Sequence, residues 1–179
     1  MGGTEPQVNT IGALTCTETT NLALAAVAAR IGQEQQCAAK LQKLLGAPVP
    51  LVGKTIIGSN YSASWIGPDQ WMLSTPFETH EDIATLLKKD FGETASVIEQ
   101  TDAWAAFDLS GDGIEAALEL MCNINLRALG SGDTRRCTIH HLGCLIICND
   151  PGSNIRILGP RASAGSLHHT ILSSMMVVA

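Results

Sequence analysis

The chain predicts an α+β fold, with mixed or antiparallel sheets and helices packed on one face. Three observations predict it. Short apolar runs bounded by Gly, Pro, Asn and Asp read as strands, they come in pairs and triplets, and single stretches of helical periodicity separate them. Runs of two or three strands between helices favour antiparallel pairing, whereas strict strand–helix alternation would favour a doubly wound parallel sheet.

Residues 1–18, rich in Gly, Thr and polar side chains, read as an N-terminal arm outside the fold. The remainder, 19–179, reads as a single domain. An Ala-rich stretch predicts a long helix over 20–45, interrupted at Gly32 and ended by Gly46 and Pro48, with Cys37, Leu41, Leu44 and Leu45 on one face. Two strands then flank Gly67-Pro68-Asp69-Gln70, a turn signalled by its Pro and Gly. A helix over 79–90 follows, with Thr79 as its cap and Ile83, Leu86, Leu87 and Phe91 as its buried stripe.

Strands are expected over 95–100 and 104–109. Ser110-Gly111-Asp112-Gly113 leads into a helix over 113–122, with Asp112 at the cap and Ile114, Ala117, Leu118 and Met121 inward. Three strands (135–141, 144–148, 154–158) and a last helix over 161–175, with Leu167, Ile171 and Met175 inward, complete the reading. Trp71-Met72-Leu73-Ser74 before one helix echoes Ile155-Arg156-Ile157-Leu158 before the last, as a duplicated strand–helix unit would.

A net charge of -6 and a pI near 5.2 leave no electrostatic case for nucleic acid or an anionic membrane. Only 16% of residues are charged, against roughly 25% in typical soluble domains. A surface poor in charge suits a subunit within a larger assembly. No run reaches the roughly 18 apolar residues that span a bilayer, and residues 1–9 carry no secretory pattern. A cytoplasmic protein is expected, its six cysteines reduced.

Candidate chemistry is sparse. Cys137, His140, His141 and Cys144 have metal-like composition, but around a turn at Gly143 strand alternation sends His140 away from Cys137 and His141, so no metal site is expected. No Gly-x-Ser-x-Gly elbow, dinucleotide Gly-x-Gly-x-x-Gly or phosphate loop occurs. Asp69, Asp102 and Asp108 read as isolated structural carboxylates. Trp65, Trp71 and Trp104 read as core anchors. No catalytic or cofactor-binding residue is assigned.

The string Trp65-Ile66-Gly67-Pro68-Asp69-Gln70-Trp71-Met72-Leu73 resembles the W-x-G-P-D-x-W-L-L hairpin of sarcosine oxidase gamma subunits. In the same order, Asp108-Leu109-Ser110-Gly111 resembles that family's strand-to-helix step, and Cys122 to Leu126 its C-x-x-D-L turn, with Asn125 where Asp is usual. Arg136-Cys137-Thr138 is similar to its A-R/Q-T strand. Arg161-Ala162-Ser163-Ala164-Gly165-Ser166-Leu167 is similar to the start of its last helix.

The resemblance marks Trp65, Gly67, Pro68, Asp69, Trp71, Asp108, Ser110 and Arg161 as structural motif positions. It implies a fold similar to the folate-binding domain of aminomethyltransferases, built from duplicated strand–helix units. It also implies a non-catalytic accessory subunit of a heterotetrameric complex that oxidises sarcosine to glycine, with hydrogen peroxide and formaldehyde or methylene-tetrahydrofolate as co-products. The cofactors would lie in the partners, which are alpha, beta and delta subunits: flavins, NAD and tetrahydrofolate in alpha and beta, and zinc in another small subunit. Two alternatives are the equivalent subunit of an N-methylglutamate dehydrogenase-type complex and a free-standing folate-binding one-carbon protein. The latter is expected to carry a second domain that 179 residues do not accommodate.

Overall fold

The computed structural model describes residues 5–179, which form two compact units, one of residues 21–102 and one of residues 103–179 with the N-terminal segment. The elements in chain order are β1 Val8–Ile11, β2 Leu14–Thr19, β3 Ala23–Ala29, α1 Glu34–Leu45, β4 Thr55–Ile57, β5 Ser62–Gly67, β6 Gln70–Thr75, α2 Ile83–Phe91 and β7 Ala95–Glu99. There follow β8 Trp104–Gly111, α3 Ile114–Glu119, β9 Thr134–Ile139, β10 Leu142–Asp150, β11 Asn154–Pro160 and α4 Ala164–Val178.

Every strand pairing described is antiparallel. The unit of residues 21–102 holds a five-stranded sheet in the order β4-β5-β6-β3-β7, and the other a six-stranded sheet, β1-β2-β8-β11-β10-β9. In the first, Ala25, Val27, Ala63, Trp71, Leu73 and Val97 project from one sheet face into a core closed by Cys37, Leu41 and Leu45 of α1 and by Ile83, Leu87 and Phe91 of α2. In the second, Cys16, Phe107, Leu109, Ile146, Cys148, Ile155 and Ile157 meet Ile114 and Leu118 of α3 and Leu167, Ile171 and Met175 of α4. The α+β class and the one-sided helices are as the sequence predicts.

The internal echo is a repeat of the whole element order. Each unit runs strand, helix, three-stranded meander, short 3-10 turn, helix: β3-α1-β4-β5-β6-α2 in one and β8-α3-β9-β10-β11-α4 in the other. Both 3-10 turns open after an extended proline, Pro76 (φ -58°, ψ 131°) and Pro160 (φ -57°, ψ 126°). Proline fixes φ and donates no N–H, so each strand ladder stops there and a helix begins. Besides its meander neighbour β6, β3 is flanked by β7, which follows α2, whereas β8, besides β11, is flanked by β2 from the N-terminal end.

That placement corrects the N-terminal arm. Residues 1–4 lie outside the described residues, but 8–11 and 14–19 are paired strands, and Leu14 and Cys16 are buried. The polar Thr15, Thr17 and Thr19 alternate with them, and β-branched Thr is at home on a pleated strand.

The long helix over 20–45 is also corrected. Its first half is β3, bonded on both sides by β6 and β7, and only Glu34–Leu45 is helical. Leu44, Leu86 and Met121 are less buried than their predicted stripes require, and Ala84 takes a core place in α2. Helix α2 is capped by Asp82, whose carboxylate accepts the Thr85 N–H at 3.3 Å, instead of by Thr79. Helix α3 starts at Gly113 with φ 94° and no side-chain cap from Asp112.

Candidate functional site

The hairpin string forms β5, a turn, and β6. Trp65 and Trp71 are direct cross-strand partners and Gly67 pairs with Gln70, with a register shift between Trp65 and Gly67. Pro68 and Asp69 are the two central turn residues. Proline sets φ for the first, and Asp69 takes the left-handed φ of 52° that the second position of a type II turn requires. The Asp69 carbonyl accepts the Ala29 N–H at 3.0 Å. Its side chain is exposed, and the turn explains the residue without any chemistry.

Trp71 is 4% exposed and central on the core face, between Trp65 on β5 and Val27 on β3. Its Nε1–H has no hydrogen-bond partner. Trp65 and Trp104 are only half-buried. One tryptophan of the three is thus the core anchor the sequence predicts.

Asp108 is not the isolated carboxylate expected. It lies directly opposite Arg156 across β8 and β11. Arg156 donates from Nε to Oδ1 and from Nη2 to Oδ2, each at 2.7 Å, and the Thr19 hydroxyl donates to Oδ2 at 2.9 Å. This bidentate pair sits on the sheet face away from α3 and α4 and holds three neighbouring strands together. Sequence reasoning missed Arg156 and Thr19, because the register that brings them to Asp108 is non-local. Ser110 is half-buried between Thr15 and Asn154 on the adjoining strands. Arg161 opens the 3-10 turn before α4, its N–H donating to the Ala103 carbonyl at 2.9 Å.

Gly111 closes the Asp108–Gly111 motif with φ 108°, and a Cβ there would stand 1.9 Å from the Ala13 carbonyl oxygen. Only glycine lets the β1–β2 turn approach so closely.

The Cys-x-x-His-His-x-x-Cys segment is a two-residue hairpin. Its turn is His140-His141, with φ of 46° and 70°, and not Gly143. Two successive left-handed residues match the twist of the flanking strands. Both imidazoles are exposed at the turn, while Cys137 and Cys144 pair back on the strands. Among the described residues no group of three or more His, Cys, Asp or Glu has the geometry to hold a metal ion.

The other histidine pair divides as helical geometry requires: His169 is exposed and His168 packs inward. His168 stacks on Phe107 at 5.4 Å, and its Nε2 meets Asn9 Oδ1 at 3.0 Å. Burial holds its pKa below the ordinary imidazole value.

Clefts on the described surface include one of about 520 Å³ lined by Glu119 to Asn123 and Thr138, and one of about 370 Å³ lined by Lys40, Lys43, Leu44 and Asp90. A third, of about 300 Å³, lies between Asp112–Ala116, Arg127 and Gly152. None of the three is lined by Asp69, Asp108, His140 or His141. No described helix is long and apolar enough to cross a membrane.

No protein-family model and no curated protein sequence matches the chain. Solved structures do. A chain of heterotetrameric sarcosine oxidase from Corynebacterium sp. U-96 superposes with a TM-score of 0.77 at 19% identity, over 94% of this chain and 87% of that one. The glycine cleavage system aminomethyltransferase T from Bartonella henselae superposes with a TM-score of 0.66 at 15% identity, over 91% of this chain. This chain spans only 46% of that second protein. At such identities the likeness shows the fold, and the fold of this chain is the aminomethyltransferase-type α+β fold that a chain of a sarcosine oxidase also adopts.

Proposed function

We propose that this chain is a non-catalytic accessory subunit of a heterotetrameric sarcosine oxidase-type complex, in the place of its gamma subunit. The observation that carries the reading is the extent of the likeness. The superposition on the sarcosine oxidase chain accounts for nearly all of both chains, whereas the aminomethyltransferase has as much again beyond the shared fold. The ordered motif matches from Trp65 to Leu167 point the same way. Exposed apolar side chains at Ile31 (100%), Leu51 (77%), Val52 (76%) and Ile57 (80%) suit a surface that is covered in an assembly. In this reading alpha, beta and delta subunits are the partners, the flavins, NAD, tetrahydrofolate and zinc reside in them, and the complex is cytoplasmic. Amine oxidation needs an electron acceptor, in this reading a flavin of a partner subunit, and the protein's part is to hold and orient it.

The test is coexpression with alpha, beta and delta subunits, followed by purification, subunit stoichiometry and sarcosine-dependent oxygen consumption. The reading predicts stoichiometric incorporation of this chain and a lower yield of complex without it. A complex that forms and turns over equally well with the chain excluded would overturn it. Turnover of N-methylglutamate in place of sarcosine would reassign the complex and leave the subunit role standing.

A further inference from the structure

β9 is the last strand of the six-stranded sheet and is paired on one side only, with β10. Its register fixes which backbone groups are left over. The Cys148 N–H donates to the Asp133 carbonyl at 2.8 Å, and Ile139 pairs with Leu142 across the two-residue turn. Bonded and unbonded pairs alternate along an antiparallel ladder. Residues 135, 137 and 139 therefore bond to β10, and the N–H and C=O groups of Thr134, Arg136 and Thr138 point out of the sheet. Nη1 of Arg135 donates to the Thr134 carbonyl at 2.9 Å. Arg136 and Thr138 are exposed, and no described backbone group bonds to either from the outer side.

The same edge carries positive charge and borders a cleft. Arg135 is held by Asp133, Nη2 to Oδ2 at 3.7 Å, whereas Arg136 extends into solvent with no ion pair among the described residues. The cleft of about 520 Å³ has Thr138 on one side and Glu119 to Asn123 on the other. Leu120 is 57% exposed there, and Met121 and Cys122 pack with Cys137 on the core side of the sheet. Glu119, the acidic group of the cleft, is held by Arg127 at 3.6 Å.

We propose that the β9 edge and this cleft receive an extended acidic segment of a partner protein, which joins the sheet as a further antiparallel strand. Main-chain bonds to Arg136 and Thr138 supply the attachment, and alternate side chains supply the selection. Carboxylates of the added strand fall on the face of Arg136, and apolar groups fall on the face of Cys137, beside Leu120 and Met121. Opposite charges directly across a strand pair stabilise it, and like charges destabilise it. A second copy of β9 laid antiparallel about Arg136 sets Arg136 against its own copy, so the edge selects against self-pairing. The chain as a whole carries a net charge of -6, which makes two adjacent arginines on a free edge a local exception. The edge selects such a segment whatever complex the chain serves.

The experiment uses the full-length chain and a labelled five-residue peptide of alternating valine and glutamate, with binding read by fluorescence anisotropy. This peptide should bind about tenfold or more tighter than its valine–lysine counterpart, an advantage that fades in about 0.5 M salt. N-methylation of its glutamate amides, which face the edge, should weaken it about tenfold or more. Arg136→Glu should invert the preference between the two peptides. Thr138→Pro removes an outward N–H and leaves the β10 ladder intact, so it should weaken the glutamate peptide. No binding, equal binding of the two peptides, or binding that survives N-methylation would overturn the proposal. So would a concentration-dependent dimer in sedimentation that Thr138→Pro abolishes, since the edge then belongs to a second copy. The peptide comparison on the wild-type chain decides it even if a variant fails to fold.

Discussion

Arg156 reaches across from β11 to grip both carboxylate oxygens of Asp108 on β8, at 2.7 Å each, and Thr19 of β2 donates to the same carboxylate. Both charged side chains are about a quarter exposed, so solvent screens the pair in part. Asp108→Ala leaves the Arg156 guanidinium half-buried without its carboxylate, and should cost about 2 kcal/mol, the range for hydrogen bonds to charged groups. Arg156→Lys should recover only part of the loss, because an ammonium cannot reproduce the two-pronged contact. Urea unfolding of the two variants measures this. Equal stability of wild type and Asp108→Ala would show the pair to be incidental.

Trp71 fills the centre of the other core, and Trp71→Ala should cost about 3–5 kcal/mol. Trp71→Phe should cost far less. It keeps most of the apolar volume and removes an indole N–H that is buried without a partner, a burden of about 1–3 kcal/mol on its own. Thermal melts of the two variants separate packing from polarity. If both fall equally, the N–H carries a role that the geometry does not reveal.

Gly111→Ala should destabilise by roughly 3 kcal/mol or more, since a left-handed φ and a clash with a backbone carbonyl add together. Gly143, where a Cβ meets nothing within 4 Å, is the control, and Gly143→Ala should be near neutral. Similar melting temperatures for the two variants would contradict the assigned register of β2 on β8.

His168 is held neutral in the folded chain, chiefly by burial, against the opposing pull of Glu18 and with help from His169. Its folded pKa is lowered, so the unfolded chain takes up the proton first as pH falls. The contribution of His168 is therefore present above the unfolded imidazole pKa, about 6.5, and is lost as pH drops towards the folded value. His168→Gln should flatten the decline in stability between about pH 7 and pH 5. Parallel curves for wild type and variant would refute the assignment.

The elements legible in the sequence were those with a local signal. The Gly67-Pro68-Asp69 turn announces itself through proline and a residue that tolerates a left-handed φ, and the stripe of Leu167, Ile171 and Met175 repeats every four residues. Ala23–Ala29 has no such period. A seven-residue apolar run, five alanines with Leu24 and Val27, is compatible with either helix or buried strand, and only pairing with β6 and β7 decides between them. His140 and His141 gave no turn signal, because left-handed histidines are uncommon and Gly143 nearby is the obvious candidate. Asp108 with Arg156 is a long-range meeting set by register, which residue spacing does not encode.

The central claim is that the chain supports oxidation of an amine without touching the reacting atoms. The most direct measurement is the turnover of the assembled complex carrying Asp69→Ala, Asp108→Ala, His140→Ala or His141→Ala in this chain, normalised to complex formed. Each should stay within about threefold of wild type, below about 0.7 kcal/mol of barrier, with Asp108→Ala lowering the yield of complex only. A hundredfold loss of turnover from any one of them, with assembly intact, would place that residue in the chemistry and contradict the account.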